Sequence, residues 1–137
     1  MKDCIFCKIA KKEIQQDPIY ENERTIAFLD IHPATEQGGH TLVIPKKHYE
    51  EFTDISKEDR EALIETVQKI TKALMKFGKG VNVLLNNGKT AGQYVMHTHF
   101  HVIPRFEEDG ILTEKWKTNK YKDGEAERIV KKIKSFL

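Results

Sequence analysis

Two periods of apolar and polar residues organise this chain. Between positions 56 and 78, Leu63, Val67, Ile70, Leu74 and Phe77 recur at three- and four-residue intervals, which places them on one face of a helix. Ser56 precedes the run as an N-cap, Glu58 and Asp59 put acid at the positive end of the helix dipole, and Gly78 supplies a stop. This is the longest predicted helix. Glu125–Phe136, with Ala126, Ile129, Val130 and Ile133 on one stripe, predicts a second amphipathic helix at the C-terminus.

Elsewhere the reading is β. Ile19–Glu21 and Thr25–Ile31 read as strands joined around Glu21-Asn22-Glu23-Arg24. His40–Ile44 is a third strand stopped by Pro45, and Val81–Leu85 a fourth that runs into the turn signal Asn86-Asn87-Gly88. His32-Pro33 and Glu36-Gln37-Gly38-Gly39 are turn chemistry. A last strand spans roughly Tyr94–Ile103 and ends at Pro104. Phe106–Gly124 is loop-rich, with Trp116 and Tyr121 as expected anchors on the body. With a short helix or turn at the start, this order predicts an α+β domain. Its antiparallel β-sheet meander has one long helix packed on it and a C-terminal helix.

Length and charge narrow the partners. The 137 residues make one domain, 39% hydrophobic and 32% charged, the profile of an ordinary globular protein. Lysine and arginine (23) nearly balance aspartate and glutamate (21), so no nucleic acid partner is expected. No apolar run approaches the roughly 18 residues of a membrane span, and Met1-Lys2-Asp3-Cys4 lacks a signal-peptide core. With only Cys4 and Cys7, a disulfide framework is excluded and a cytoplasmic location is expected.

The chemistry concentrates in His97-Thr98-His99-Phe100-His101-Val102-Ile103, which holds three of the six histidines. On a strand, a spacing of two puts the three imidazoles on one face, neighbours about 6.5–7 Å apart. Two readings compete: imidazoles ligating a zinc ion with an open position, or a neutral imidazole attacking phosphorus while its neighbours carry protons. Cys4-x-x-Cys7 lacks the preceding strand of a redox motif. A structural zinc would need two more ligands, and histidines are the remaining candidates.

The His-φ-His-φ-His-φ-φ pattern (φ apolar, here with Thr98 at the first φ) resembles the signature of the histidine-triad (HIT) nucleotide-binding and hydrolase superfamily. Cys4-Ile5-Phe6-Cys7-Lys8-Ile9, Phe28-Leu29-Asp30-Ile31, His40-Thr41-Leu42-Val43-Ile44-Pro45-Lys46, Asn86 and Gly92-Gln93 fall in the same order. The resemblance covers residues 3–106, and the tail 107–137 resembles single-domain bacterial members more loosely. It implies one HIT domain over 1–137 that hydrolyses or transfers a nucleotidyl group of nucleoside phosphoramidates or dinucleoside polyphosphates. In that reading His99 attacks the α-phosphorus, His101 and His40 serve the phosphate oxygens and protons, and Gln93 and Asn86 hydrogen-bond the phosphate or leaving group. Asp30 accepts from the ribose, and Ile5, Phe6, Ile9, Phe28 and Ile31 line the base pocket. From the residues alone, Ile9 and Phe28 fit ordinary core equally well, Asp30 fits a turn cap, and Asn86 fits its Asn-Gly turn.

The resemblance further implies a structural zinc on Cys4, Cys7, His48 and His97, Mg2+ accompanying polyphosphate substrates, a purine nucleotide or its conjugate as ligand, and a homodimer. Two positions depart from the family pattern. Tyr94 stands where the phosphoramidase branch has a small hydroxyl residue, and the Asp30–His40 interval is about two residues longer, enlarging a turn at Glu36–Gly39. A nucleotide-binding regulatory module and a metal-dependent hydrolase are the alternative functions. His32 is expected to be a loop residue, and Lys131, Lys132 and Lys134 a solvated helix face.

Overall fold

In the computed structural model, which describes residues 3–111 and 118–137, five strands form one sheet in the order β1-β2-β3-β5-β4, every neighbour antiparallel. The elements are α1 (Ile5–Ala10), β1 (Pro18–Glu21), β2 (Thr25–Leu29), β3 (Thr41–Pro45), α2 (Lys57–Phe77), β4 (Gly80–Leu85), β5 (Phe100–Arg105) and α3 (Glu125–Lys134). The α+β class, the long helix and the C-terminal helix are as expected. Meander order holds for β1-β2-β3. The α2 crossover then carries the chain past one vacant place to the far edge, and β5 returns to fill it. Strands β3 and β4 are therefore parallel with β5 between them, which needs a connection as long as α2.

Strand alternation gives the sheet two separately packed faces. Ala27, Val43, Phe100 and Val102 point to one side and bury against Leu63, Val67, Ile70 and Leu74 of α2. Ile26, Phe28, Leu42 and Ile44 point to the other, where Phe6 and Ile9 of α1 cover part of them. Each fully buried aliphatic contributes roughly 1.5–3 kcal/mol, so α2 is held mainly by this stripe.

The helix starts as read: the Ser56 Oγ accepts from the Asp59 backbone N–H at 3.2 Å. Asp59 also ties α2 to the sheet, its carboxylate accepting from the Tyr49 hydroxyl at 2.5 Å and from Arg24 at 2.7 Å. The helix ends where the backbone of Gly78 turns extended, and the position admits only glycine because a Cβ there would lie 2.9 Å from the Arg105 carbonyl oxygen. The helix thereby comes up against the end of β5.

Four expectations need correction. The histidine strand begins at Phe100, not near Tyr94, because the preceding loop bonds elsewhere: the Thr98 N–H donates to the Tyr49 carbonyl at 2.7 Å. Strand β5 runs through Pro104, where the β3 partner has already ended at the Thr41–Val102 pair, an edge-like position that needs no N–H. Phe77 stands 54% exposed, edge-on to Phe106. Tyr121 is no anchor: it is 67% exposed between exposed Lys120 and Lys122, and Trp116 lies outside the described residues. Helix α3 forms with no buried residue, so its apolar stripe is uncovered.

Candidate active site

The sheet face opposite α2 is only partly covered by α1, and the remainder forms a cleft of about 750 Å³. One end is apolar, built by Ile5, Phe6, Ile9, Ile14, Phe28 and Ile31. The other carries Asp30, His40, Asn86, His99 and His101. Phe6 joins the two ends, its ring edge-to-face with Phe28 at 5.7 Å and with His99 at 5.1 Å.

Backbone groups fix which nitrogen of each imidazole keeps its proton, since a carbonyl only accepts and an amide N–H only donates. His99 Nδ1 is 2.8 Å from the His97 carbonyl oxygen, so Nδ1 donates and Nε2 keeps its lone pair. That Nε2 has no partner, yet Thr98 Oγ1 is the one orphaned buried side-chain polar atom among the described residues. His99 Nε2 is therefore open to the cleft. The Ala34 N–H donates to His40 Nδ1 at 3.0 Å, which puts the His40 proton on Nε2. His40 Nε2 donates in turn to His101 Nδ1 at 2.9 Å, leaving His101 with an Nε2–H donor. Burial lowers the pKa of all three rings, His101 to about 4. The site thus holds neutral imidazoles: His99 with a free Nε2 lone pair, His101 with a free Nε2–H, and His40 bonded to His101.

His97 points away from this group. Its Nε2 donates to the Pro45 carbonyl at 2.8 Å, turning the Nδ1 lone pair to Cys4 Sγ (3.4 Å) and Cys7 Sγ (3.5 Å). His48 Nδ1 lies 3.3 Å from Cys7 Sγ. A tetrahedral zinc with ordinary Zn–S and Zn–N bonds holds S and N about 3.6 Å apart, so these four side chains fit one. With no cation, burial and the adjoining Cys4 push the Cys7 thiol up to about 11, and a dication there would reverse that. Asp30, His40 and His101 also lie within ligand distance of one another. Their facing nitrogens are engaged in the His40–His101 hydrogen bond, which makes them a poor metal site.

The remaining expected residues divide. Asp30 turns one carboxylate oxygen to the His32 N–H at 2.9 Å, the turn-cap role, and the other toward His40 at 3.8 Å, facing the cleft. Asn86 lines the cleft while donating to the Gly92 carbonyl at 3.3 Å. Gln93, expected at the phosphate, is fully buried and away from the cleft lining. Its amide accepts from the Gly88 N–H and donates to the Glu50 and Val95 carbonyls, so it shapes the 86–99 loop instead. Gln16, His32, Leu42, Leu84 and Ile103 line the cleft unforeseen, and Tyr94 stands 90% exposed at its rim. For Leu42, Leu84 and Ile103 the signal was present, as each shares strand parity with a site residue. Gln16 and His32 lie in loops and gave none.

Residues 11–108 match the HIT domain family. The chain is 46% identical over 132 residues to an uncharacterised HIT-like protein of Methanocaldococcus jannaschii, covering 96% of this chain and 98% of that one. It is 39% identical to an adenosine 5'-monophosphoramidase of Schizosaccharomyces pombe, covering 96% of each. A crystal structure of a HIT family protein from Bacillus subtilis superposes with a TM-score of 0.89 at 41% identity, over 98% of this chain and 97% of that one. A zinc-bound histidine triad family protein from Mycobacterium smegmatis does so at 0.72 and 31% identity, over 99% of both chains.

Proposed function

The chain belongs to the HIT domain family, and from that premise we propose that it is a nucleotide hydrolase working through a covalent nucleotidyl-His99 intermediate. Its substrates are adenosine phosphoramidates or dinucleoside polyphosphates, cleaved at the α-phosphorus. The observation that carries this reading is the His99 ring, with Nδ1–H tied to the His97 carbonyl and Nε2 bare toward the cleft. The Schizosaccharomyces pombe relative supports the phosphoramidate class.

In the first step the Nε2 lone pair forms a bond to phosphorus as the bond to the leaving group breaks, a polyphosphate oxygen departing as its anion and an amine nitrogen departing neutral with a proton taken up from solvent. The substituted ring becomes an imidazolium, and the His97 carbonyl oxygen at Nδ1–H stabilises that positive charge. His101 Nε2–H, held by the His40 chain, donates to a phosphoryl oxygen. Water then attacks phosphorus, the P–Nε2 bond returns its pair to the ring, and the water's proton leaves to solvent. Asp30 accepts from the ribose hydroxyls through the oxygen not used in its turn. Cys4, Cys7, His48 and His97 would hold a structural zinc, which would cross-link α1 to the active-site loop and supply no bond making.

Incubation with α-phosphate-labelled substrate followed by acid-free denaturation should leave label on the wild-type chain and none on His99→Ala. Absence of hydrolysis with both substrate classes overturns the reading.

A further inference from the structure

We propose that Gln16 reads the edge of the bound base and makes the cleft selective for adenine. This rests on the nucleotide reading above and adds a specificity residue to it.

The cleft residues fall in a linear order. His99 and His101 stand at β5, Asp30 and His40 lie 3.8 Å apart next to them, and Leu29 ends β2 just before Asp30. The Gln16 Nε2 donates to the Leu29 carbonyl at 3.2 Å. Strands β2 and β5 are separated by β3 alone, so they lie roughly 10 Å apart, about the reach of a nucleoside. With phosphate at the histidines and ribose at Asp30, the base takes the apolar end, and its outer edge arrives at Gln16.

That end offers the base almost nothing polar. Apolar walls hold any planar ring and cannot tell one purine from another. Besides Asp30, His40, Asn86 and the triad, the polar cleft residues are Gln16, His32 and Tyr94, and Tyr94 stands 90% exposed at the rim. His32 is exposed, and among the described residues no partner fixes its ring. Gln16 is half-buried and its amide orientation is set: the atom facing the Leu29 carbonyl must be the donor, and flipping would oppose two acceptors. Its Oε1 therefore faces outward as a fixed acceptor with no partner among the described residues. Adenine presents an amino group on the edge where inosine and guanine present a carbonyl oxygen. A fixed acceptor pairs with the first and repels the second.

Calorimetric titration of the full chain with AMP, IMP and purine riboside 5'-monophosphate, which lacks the six-position group, tests this. Wild type should bind AMP roughly 3- to 10-fold more tightly than either analogue, the effect of one half-exposed hydrogen bond. In Gln16→Leu the three affinities should converge, AMP binding weakening and IMP binding, freed of the repulsion, tightening, while His32→Ala keeps the selectivity. The wild-type comparison stands alone should the variant fail to fold. Equal affinities in wild type, selectivity that survives Gln16→Leu, or selectivity lost only in His32→Ala would each overturn the proposal. A folded wild type that binds none of the three nucleotides overturns the nucleotide reading, and this inference with it.

Discussion

A neutral histidine carries one ring proton, and the nitrogen that keeps it decides whether the side chain attacks, donates or ligates. In this chain the deciding groups are the carbonyls of His97 and Pro45 and the N–H of Ala34, all contributed by the folded backbone. The spacing of two announced a histidine site, but it could not say that His97 would face two thiols and His99 an open cleft. The same limit explains Gln93, whose amide is taken up by the backbone of Gly88, Glu50 and Val95. If His99 is the nucleophile, as proposed, His99→Ala should lower kcat by about 10⁴-fold or more while AMP still binds, as paired kinetics and calorimetry would report. Burial lowers His101 to about 4, reinforced by the neighbouring His99 and His40 and opposed by Asp30. Its proton is therefore bound more weakly folded than unfolded. The stability that follows is fully present above about pH 6.5 and declines as pH falls toward 4. An NMR titration should find the His101 ring neutral at pH 6, whereas a midpoint near 6.5 would contradict the buried chain. Thr98 Oγ1 is buried without a partner, so the isosteric Thr98→Val should raise stability by about 1 kcal/mol, read as a higher Tm.

At the scale of elements, α2 and the strands β2, β3 and β4 were legible because each is specified locally: a cap, a period, a stop. The start of β5 was not. Residues 94–99 are as β-prone as those after them, yet the Thr98 N–H reaches Tyr49 outside the sheet, a long-range choice invisible to local pattern. Helix α1 has a further dependence. It is six residues long, too short to persist alone, and Cys4 and Cys7 bring it against His48 and His97. A metal bound only by the folded cluster stabilises the chain by about 2.7 kcal/mol at a hundredfold excess over its Kd. Chelation should accordingly lower the Tm, zinc should restore it at one ion per chain, and Cys7→Ser should abolish the response. Because His99 and His101 are not ligands in this arrangement, turnover well below the Tm should largely survive chelation. Complete loss of turnover at unchanged Tm would instead favour a metal-dependent hydrolase.

Across the whole molecule, the strand order was hidden because placing β5 between β3 and β4 depends on pairings more than fifty residues apart. That order leaves β4 at an edge, with unpaired backbone groups along Gly80–Leu85 and Val83 46% exposed. Such an edge invites another strand. One flank of α2 sends Lys69 over the Tyr20 ring of β1 at 4.5 Å. The opposite flank, by helical geometry on the β4 side, carries Ile64, Thr71 and Met75, with Ile64 46% and Met75 52% exposed. An apolar helix flank beside an open strand edge is self-complementary about a two-fold axis. We therefore expect a homodimer in which β4 pairs with its copy and the two α2 flanks meet. Sedimentation should give twice the chain mass at micromolar concentration, and Ile64→Glu combined with Val83→Lys should give a folded monomer. A wild-type chain that sediments as a monomer at high micromolar concentration would exclude this interface. The cleft opens on the sheet face opposite α2, so the monomeric variant should still bind AMP, which separates loss of the interface from loss of the site.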